Sequence, residues 1–320
     1  MTQREHRGWT VLTLSTDELT MDVLPDKGGD IIALTRVADG LALLGSTPWG
    51  LRPRGIITPP GSVSSAAADA WAGGWRPMFP NGGRSAVSNG VELGEFGEAT
   101  LAPYDWTDTG DGLELTTRLA RVPFEVTRTI TCADGAVTVT ERIRNVGGEE
   151  VGGMWGHQLM LAAPVLDGSA TLDTGASVVR PDSDVVSSVN WDDLMPWPRA
   201  HGTDGLINLR TVPAADGEET RKAYLSDFTE PRVSLTNRDL DLTLSLTWDA
   251  EVWPYLWYEL EAGRNTGYPW YKGAYHLLLT PSSSWPARGL HEARRLSQLV
   301  VFGPGEERTA TLTLAVSPAR

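Results

Sequence analysis

Strict period-two alternation is the feature that most constrains this chain. In Ala136–Asn145 (AVTVTERIRN), Val137, Val139 and Ile143 fall on one parity. Thr138, Thr140, Arg142 and Arg144 fall on the other. Successive side chains of a strand point to opposite faces, so this pattern predicts a strand with one buried face. Leu242–Trp248 (LTLSLTW) and Thr309–Val316 (TATLTLAV) repeat it, as do Leu113–Leu119 and Pro123–Cys132. Thr10–Leu14 and Leu19–Leu24 read as an opening hairpin. Turn-forming clusters separate the runs, among them Asp26–Gly29 (DKGG), Asp108–Gly112 (DTGDG) and Gly303–Gly305. Strands joined by turns rather than by helical patterns predict an antiparallel all-β architecture. Only Ser62–Ala72 and the start of Leu290–Val300 read as short helices.

Length and charge narrow the function. A chain of 320 residues can bury a large core, and the absence of a linker-like stretch predicts one domain over residues 1–320. The net charge of −14 argues against nucleic acid, whose backbone demands clustered Lys and Arg. The single cysteine, Cys132, excludes an intrachain disulfide and a cysteine-rich metal site, and it reads as a small core residue. No apolar stretch approaches membrane-spanning length, and the N-terminus lacks an apolar signal core. The expectation is a cytoplasmic protein without membrane partners. Charge-blunted or paired edge strands fit a monomer or a homodimer equally.

Aromatic residues concentrate in Trp253–Tyr275 (WPYLWYELEAGRNTGYPWYKGAY), which holds five of the seven tyrosines and three of the thirteen tryptophans. Tyr and Trp offer flat apolar area with a polar tip, which suits a ligand with alternating apolar and hydroxylated faces, such as a sugar. Glu259 and Glu261 share one strand face with Trp257 within this segment. Trp270 and Tyr271 extend the candidate wall. Long loops at Gly50–Gly61, rich in Pro, and at Asn190–Gly205, with both Trp and Pro, are further places for binding residues. Asp192 and Asp193 in the second read as ordinary acidic loop residues, and His6, His201 and His291 as surface residues.

Four segments, taken in order, resemble the aldose 1-epimerase (galactose mutarotase-like) family. Pro25–Leu34 (PDKGGDIIAL) is similar to its GG-x-I-x-x-L entry, and Gly73–Arg84 (GGWRPMFPNGGR) to its GGW-x-x-x-FPNGG loop. Val151–Leu161 (VGGMWGHQLML) is similar to its WGHHPAF region, and Gly267–Ser283 (GYPWYKGAYHLLLTPSS) to its closing GYPW…EPSS stretch. The resemblance implies a large antiparallel β-supersandwich with a sugar cleft and no metal or cofactor. It implies anomer interconversion: a carboxylate takes the anomeric proton, an acid protonates the ring oxygen, and the ring opens and recloses. It also makes Asn81 a sugar contact, with Arg84 and Trp75 beside it.

Three positions depart from the family pattern. Thr280 stands where the family has its basic Glu, and a threonine hydroxyl is no base near neutral pH. Phe96 stands near one family His. His157–Gln158 replaces the His pair, so the surviving His157 is either the acid or the wrong member of the pair. Two expectations follow from different classes. In one, the chain is an isomerase with relocated chemistry, using His157 or His276 as acid and Glu259 or Glu261 as base, with Thr280 lining the site. In the other, it is a carbohydrate-binding protein that has lost catalysis.

Overall fold

The computed structural model describes residues 1–55 and 63–319. Each period-two run forms a strand. Ala136–Asn145, Leu19–Leu24 and Leu242–Trp248 match their expected bounds, and Thr309–Val316 lies inside the strand Glu307–Ser317. The opening hairpin pairs Leu12 with Val23. Helix is confined to Val63–Asp69 and Leu290–Arg295 within the described residues. Ser62, the expected start of the first, lies outside them, as does much of the Gly50–Gly61 loop.

The strands form two antiparallel layers. The first runs, neighbour by neighbour, through Thr2–His6, Trp9–Ser15, Leu19–Leu24, Asp30–Arg36, Trp75–Met78, Gly156–Ala162, Tyr275–Ser282 and Tyr255–Ala262. The second runs through Asp105–Asp108, Gly112–Arg118, Phe124–Ala133, Ala136–Asn145, Glu307–Ser317 and Leu242–Trp248. The long strand Glu219–Asn237 belongs to both. Its first residues, 219–225, pair with Tyr255–Ala262, and residues 232–237 pair with Leu242–Trp248. Thr171–Pro181 runs beside it with a bulge between Thr174 and Ala176, which bends the pair from one layer to the other.

The apolar parities of the two layers meet in one core. Val137, Val139 and Ile143 from the second layer join Leu159, Leu161, Leu256, Tyr258, Leu277 and Leu279 from the first. The opposite parity of the second layer faces outward, where Thr138–Thr313 and Thr140–Thr311 hydroxyl pairs at 3.0 Å tie neighbouring strands. Cys132 is half-buried and packs against the core.

One charged cluster interrupts this apolar interior. Glu141 shares the inward parity of Val139 and Ile143 and sits opposite Arg128. The Arg128 guanidinium donates to Glu141 Oε2 at 2.5 and 2.8 Å, and Trp155 Nε1 donates to Oε1 at 2.6 Å. Burial opposes ionisation of Glu141, but Arg128 and His157 outweigh it and hold the carboxyl down at about 2.

The central strands of the first layer differ from this half-buried pattern. Gly156–Ala162 is buried throughout, and Tyr275–Ser282 nearly so. One of their faces meets the core. Loops and the short helices cover part of the other, and the uncovered part is the floor of a cleft.

Candidate functional site

Strand register lays out the cleft floor. Glu261 pairs with His276, Glu259 with Leu278, and Trp257 with Thr280. On the other side of Tyr275–Ser282, Met160 pairs with Leu278, and Gln158 then pairs with Arg76 on the next strand. Lys222 sits across from Glu259. The cleft has a volume of about 450 Å³, within the range of small-molecule sites. Arg76, Gln158, Lys222, Glu259, Glu261 and His276 line its floor. Trp49, Trp71, Tyr268, Trp270, Glu95 and Phe96 form its walls.

Arg76 anchors one side. Its Nε and Nη2 both donate to Gln158 Oε1, at 3.0 and 2.6 Å, and Nη1 donates to the Ala67 carbonyl at 3.3 Å. The guanidinium is sandwiched between the Trp71 ring at 3.9 Å and the Phe96 ring at 4.0 Å. Burial lowers its pKa to about 10, against the pull of Asp30, Glu95 and Glu259, so it remains a cation at neutral pH. Because Arg76 holds the Gln158 oxygen, the amide is fixed, and its buried Nε2 has no partner among the described residues. Gly74 lets this strand approach its neighbour. It has φ +80°, and a Cβ there would lie 2.1 Å from the Ile31 carbonyl oxygen.

The other side holds the acidic groups, and they differ in what they are free to do. Glu261 is buried, with both oxygens engaged: Oε2 accepts from the Thr220 hydroxyl at 2.7 Å, and Oε1 from the backbone N–H of Arg264 and Asn265 at 2.6 and 2.7 Å. It caps the loop that follows its strand. Glu259 is partly exposed to the cleft and has Lys222 Nζ 3.3 Å from its Oε2. Burial of the Lys222 ammonium is outweighed by Glu259 and Asp182, which raise its pKa. His276 packs on Trp270 with ring centroids 4.5 Å apart and planes tilted by 51°, and its Nδ1 has no partner among the described residues. Burial pushes its pKa down to about 4, so it is a neutral imidazole near pH 7. Trp270 in turn stacks on Trp49 at 5.5 Å, and the two indoles make a flat apolar wall.

Several expected site residues lie elsewhere. His157 has the parity of Leu159 and points into the core between the layers. There it packs against Trp75 and Trp253, with Nε2 3.5 Å from Glu141 Oε1. The cleft position on that strand belongs to Gln158. Trp75 is likewise a core residue. Asn81 is fully buried, donating to the Arg84 and Gly94 carbonyls and accepting from the Leu290 N–H, so it ties three loop segments together. Arg84 is exposed and paired with Asp184 at 2.9 Å. Trp257 is buried beneath the floor, with Nε1 bonded to the Ser284 carbonyl. Thr280 is sealed, with an unpartnered hydroxyl. Tyr271 is 71% exposed and is not among the residues that line the cleft. Of the eleven expected residues, the cleft thus brings together Glu259, Glu261, His276 and Trp270.

Sequence reasoning missed Arg76, Gln158, Lys222 and Glu95. Two of these were within reach: Arg76 lies inside the GGWRPMFPNGG loop, and Gln158 differs from His157 by one parity step. Lys222 gave no signal, because its meeting with Glu259 depends on a strand pairing about forty residues apart. Among the described residues no group of three or more His, Cys, Asp or Glu could hold a metal ion, and no helix is long and apolar enough to cross a membrane.

Two layers sharing long strands, with a walled cleft on the outer face of one, define a β-supersandwich. Solved structures with the same architecture cover nearly all of the chain. The Slr1438 protein from Synechocystis sp. PCC 6803 superposes with a TM-score of 0.70 at 19% identity, covering 96% of both chains. A galactose mutarotase related enzyme from Lactobacillus acidophilus gives 0.69 at 14% identity, over 97% of this chain and 98% of its own. A galactose mutarotase-like protein from Lactobacillus casei gives 0.66 at 15% identity, over 96% and 99%. The chain has the galactose mutarotase-like fold. No family model and no curated relative matches it, and likeness at these identities establishes fold rather than activity.

Proposed function

We propose that the protein is an aldose 1-epimerase-like isomerase that interconverts the anomers of a neutral monosaccharide or a derivative. The observation that carries this reading is Glu259. It is a carboxylate on the floor of an indole-walled cleft, with one oxygen beside the Lys222 ammonium and no other side chain among the described residues bonded to it. Trp49 and Trp270 present apolar area to a sugar face, while Arg76, Gln158 and neutral His276 supply hydrogen bonds to its hydroxyls. Glu259 takes the anomeric proton, the ring opens, the carbonyl rotates and closure reverses the transfers. Glu261 is unsuited to this step because both its oxygens are bonded within the protein. Neutral His276 is a hydrogen-bond partner and not a cationic acid.

Polarimetry of freshly dissolved α-glucose, α-galactose and a panel of related sugars tests the proposal. Wild type accelerates mutarotation of at least one, and Glu259→Gln slows it at least about 100-fold while calorimetry still detects binding. A second reading, a carbohydrate-binding protein, is favoured by the sealed Thr280 and by Phe96 at a family histidine position. Binding of sugars with no acceleration of any of them would support that reading and sink the first.

A further inference from the structure

The proposed reaction needs an acid for the ring oxygen, and neither histidine expected from sequence supplies one. His157 lies in the core, and His276 is neutral. We infer that Glu95 is the catalytic acid that protonates the ring oxygen, opposite Glu259 as base; this rests on the isomerase reading above.

Glu95 follows the strand Val91–Leu93 and lines the cleft beside Arg76, while Glu259 lines it from the strand Tyr255–Ala262. Three strand spacings separate the backbones of the Arg76 and Glu259 strands, about 14 Å, so the two carboxyls line the cleft from different sides. The two carboxyls differ in their partners. Glu259 has Lys222, whereas Glu95 makes no hydrogen bond or ion pair with any described residue. Phe96 explains why Glu95 faces the cleft. It adopts φ +63°, an uncommon and costly conformation for a bulky residue, and its ring covers the Arg76 guanidinium. The turn that lays Phe96 over Arg76 therefore turns Glu95 toward the cleft. Gly97, at φ +80° with no room for a Cβ against the Phe79 carbonyl, completes that turn.

The environment of Glu95 suits a proton donor. Burial pushes its carboxyl up from the ordinary range, with Arg76 opposing the rise. Other titratable groups that share its cleft are Tyr268, which bonds Asp69 and lies near Arg52, and, from the strands of the floor, Lys222, Glu259, Glu261 and His276. Two carboxyls held in contrasting environments across one cleft are the arrangement that assigns one as acid and one as base.

The step balances without a co-reactant. Glu259 takes the proton of the anomeric hydroxyl, and the O–H electron pair becomes the second bond of the carbonyl. The bond from the anomeric carbon to the ring oxygen breaks. Its electrons go to that oxygen, which takes the Glu95 proton. After rotation of the carbonyl, the freed hydroxyl attacks the other face. Glu95 recovers its proton, and Glu259 returns one to the anomeric oxygen.

The test uses Glu95→Gln, an isosteric change, with sugar binding by calorimetry as the check on folding. Mutarotation falls at least about 100-fold with binding retained. In wild type the rate falls as pH rises through the Glu95 pKa, since only the protonated carboxyl donates, and the variant lacks that limb. Carboxyl-carbon NMR, assigned by difference from Glu95→Gln, shows Glu95 titrating above about 4.3, the ordinary glutamate value. An active wild type with an unimpaired Glu95→Gln overturns the Glu95 assignment alone, and so does an ordinary or lowered titration of Glu95. A wild type that accelerates no sugar overturns the isomerase reading and the assignment with it.

Discussion

At the scale of the residue, the cleft is set by parity and by which polar groups are already spent. Glu259 and Glu261 are two residues apart on one strand face, yet only Glu259 remains available, because loop amides and Thr220 occupy Glu261. Gln158 is the counterpart on the opposite side. Among the described residues its oxygen is the only side-chain acceptor bonded to Arg76, a buried cation. Gln158→Leu should therefore destabilise the protein by about 1–3 kcal/mol, because the guanidinium loses two bonds without regaining water. Urea unfolding measures this. Pairing the change with Arg76→Met should recover part of the loss, since removing both partners removes the unmet donors. His276 gives a pH signature. Its pKa falls from the usual 6.5 to about 4, so the unfolded chain takes a proton before the folded one. Stability from this residue is complete above about pH 6.5 and is lost as pH falls toward 4, by up to about 3 kcal/mol. Comparing wild type with His276→Gln in urea titrations across that range should show a shallower pH dependence in the variant.

At the scale of the element, period-two runs were legible to within a residue or two, because one face of each outer strand meets water and the other the core. The strands under the cleft were harder to read. Gly156–Ala162 is buried on both faces, so polarity does not separate them, and the choice between His157 and Gln158 rests on register alone. A one-residue step moves a side chain from core to cleft, which is why the family resemblance reached the correct segment and left the wrong residue pointing inward. Loops are held by specific caps. Glu261→Ala should free the amides of Arg264 and Asn265, with a stability loss of about 1–2 kcal/mol. Amide hydrogen exchange at those two positions should quicken, while the strand amides of Tyr255–Leu260 remain protected.

At the scale of the whole molecule, the two layers are joined by hydrogen bonding as well as by packing. Glu219–Asn237 passes from one to the other, so the floor of the cleft and the second layer share a strand. The interior between them carries the Arg128–Glu141 pair with Trp155 and His157 around it. Removing the Glu141 charge leaves Arg128 buried and unpaired, so Glu141→Gln should cost about 3–5 kcal/mol. The folded Glu141 pKa, about 2, lies below the unfolded value. Its contribution is therefore present above about pH 4.5 and is lost as pH falls toward 2. Thermal melts of wild type and Glu141→Gln should converge over that interval.

The sequence by itself determined the all-β class, the bounds of the period-two strands to within a residue or two, and a family-like order of motifs leading to the cleft. These depend on local periodicity and turn chemistry, which each segment carries alone. Only the tertiary structure decided which polar residues meet. Lys222 reaches Glu259 across a pairing, Arg76 closes on Gln158, and Glu95 turns inward on the backbone of Phe96. The physical reason is that a strand's own pattern says which residues share a face. It does not say which strand lies beside it, in what register, or which loop covers the result.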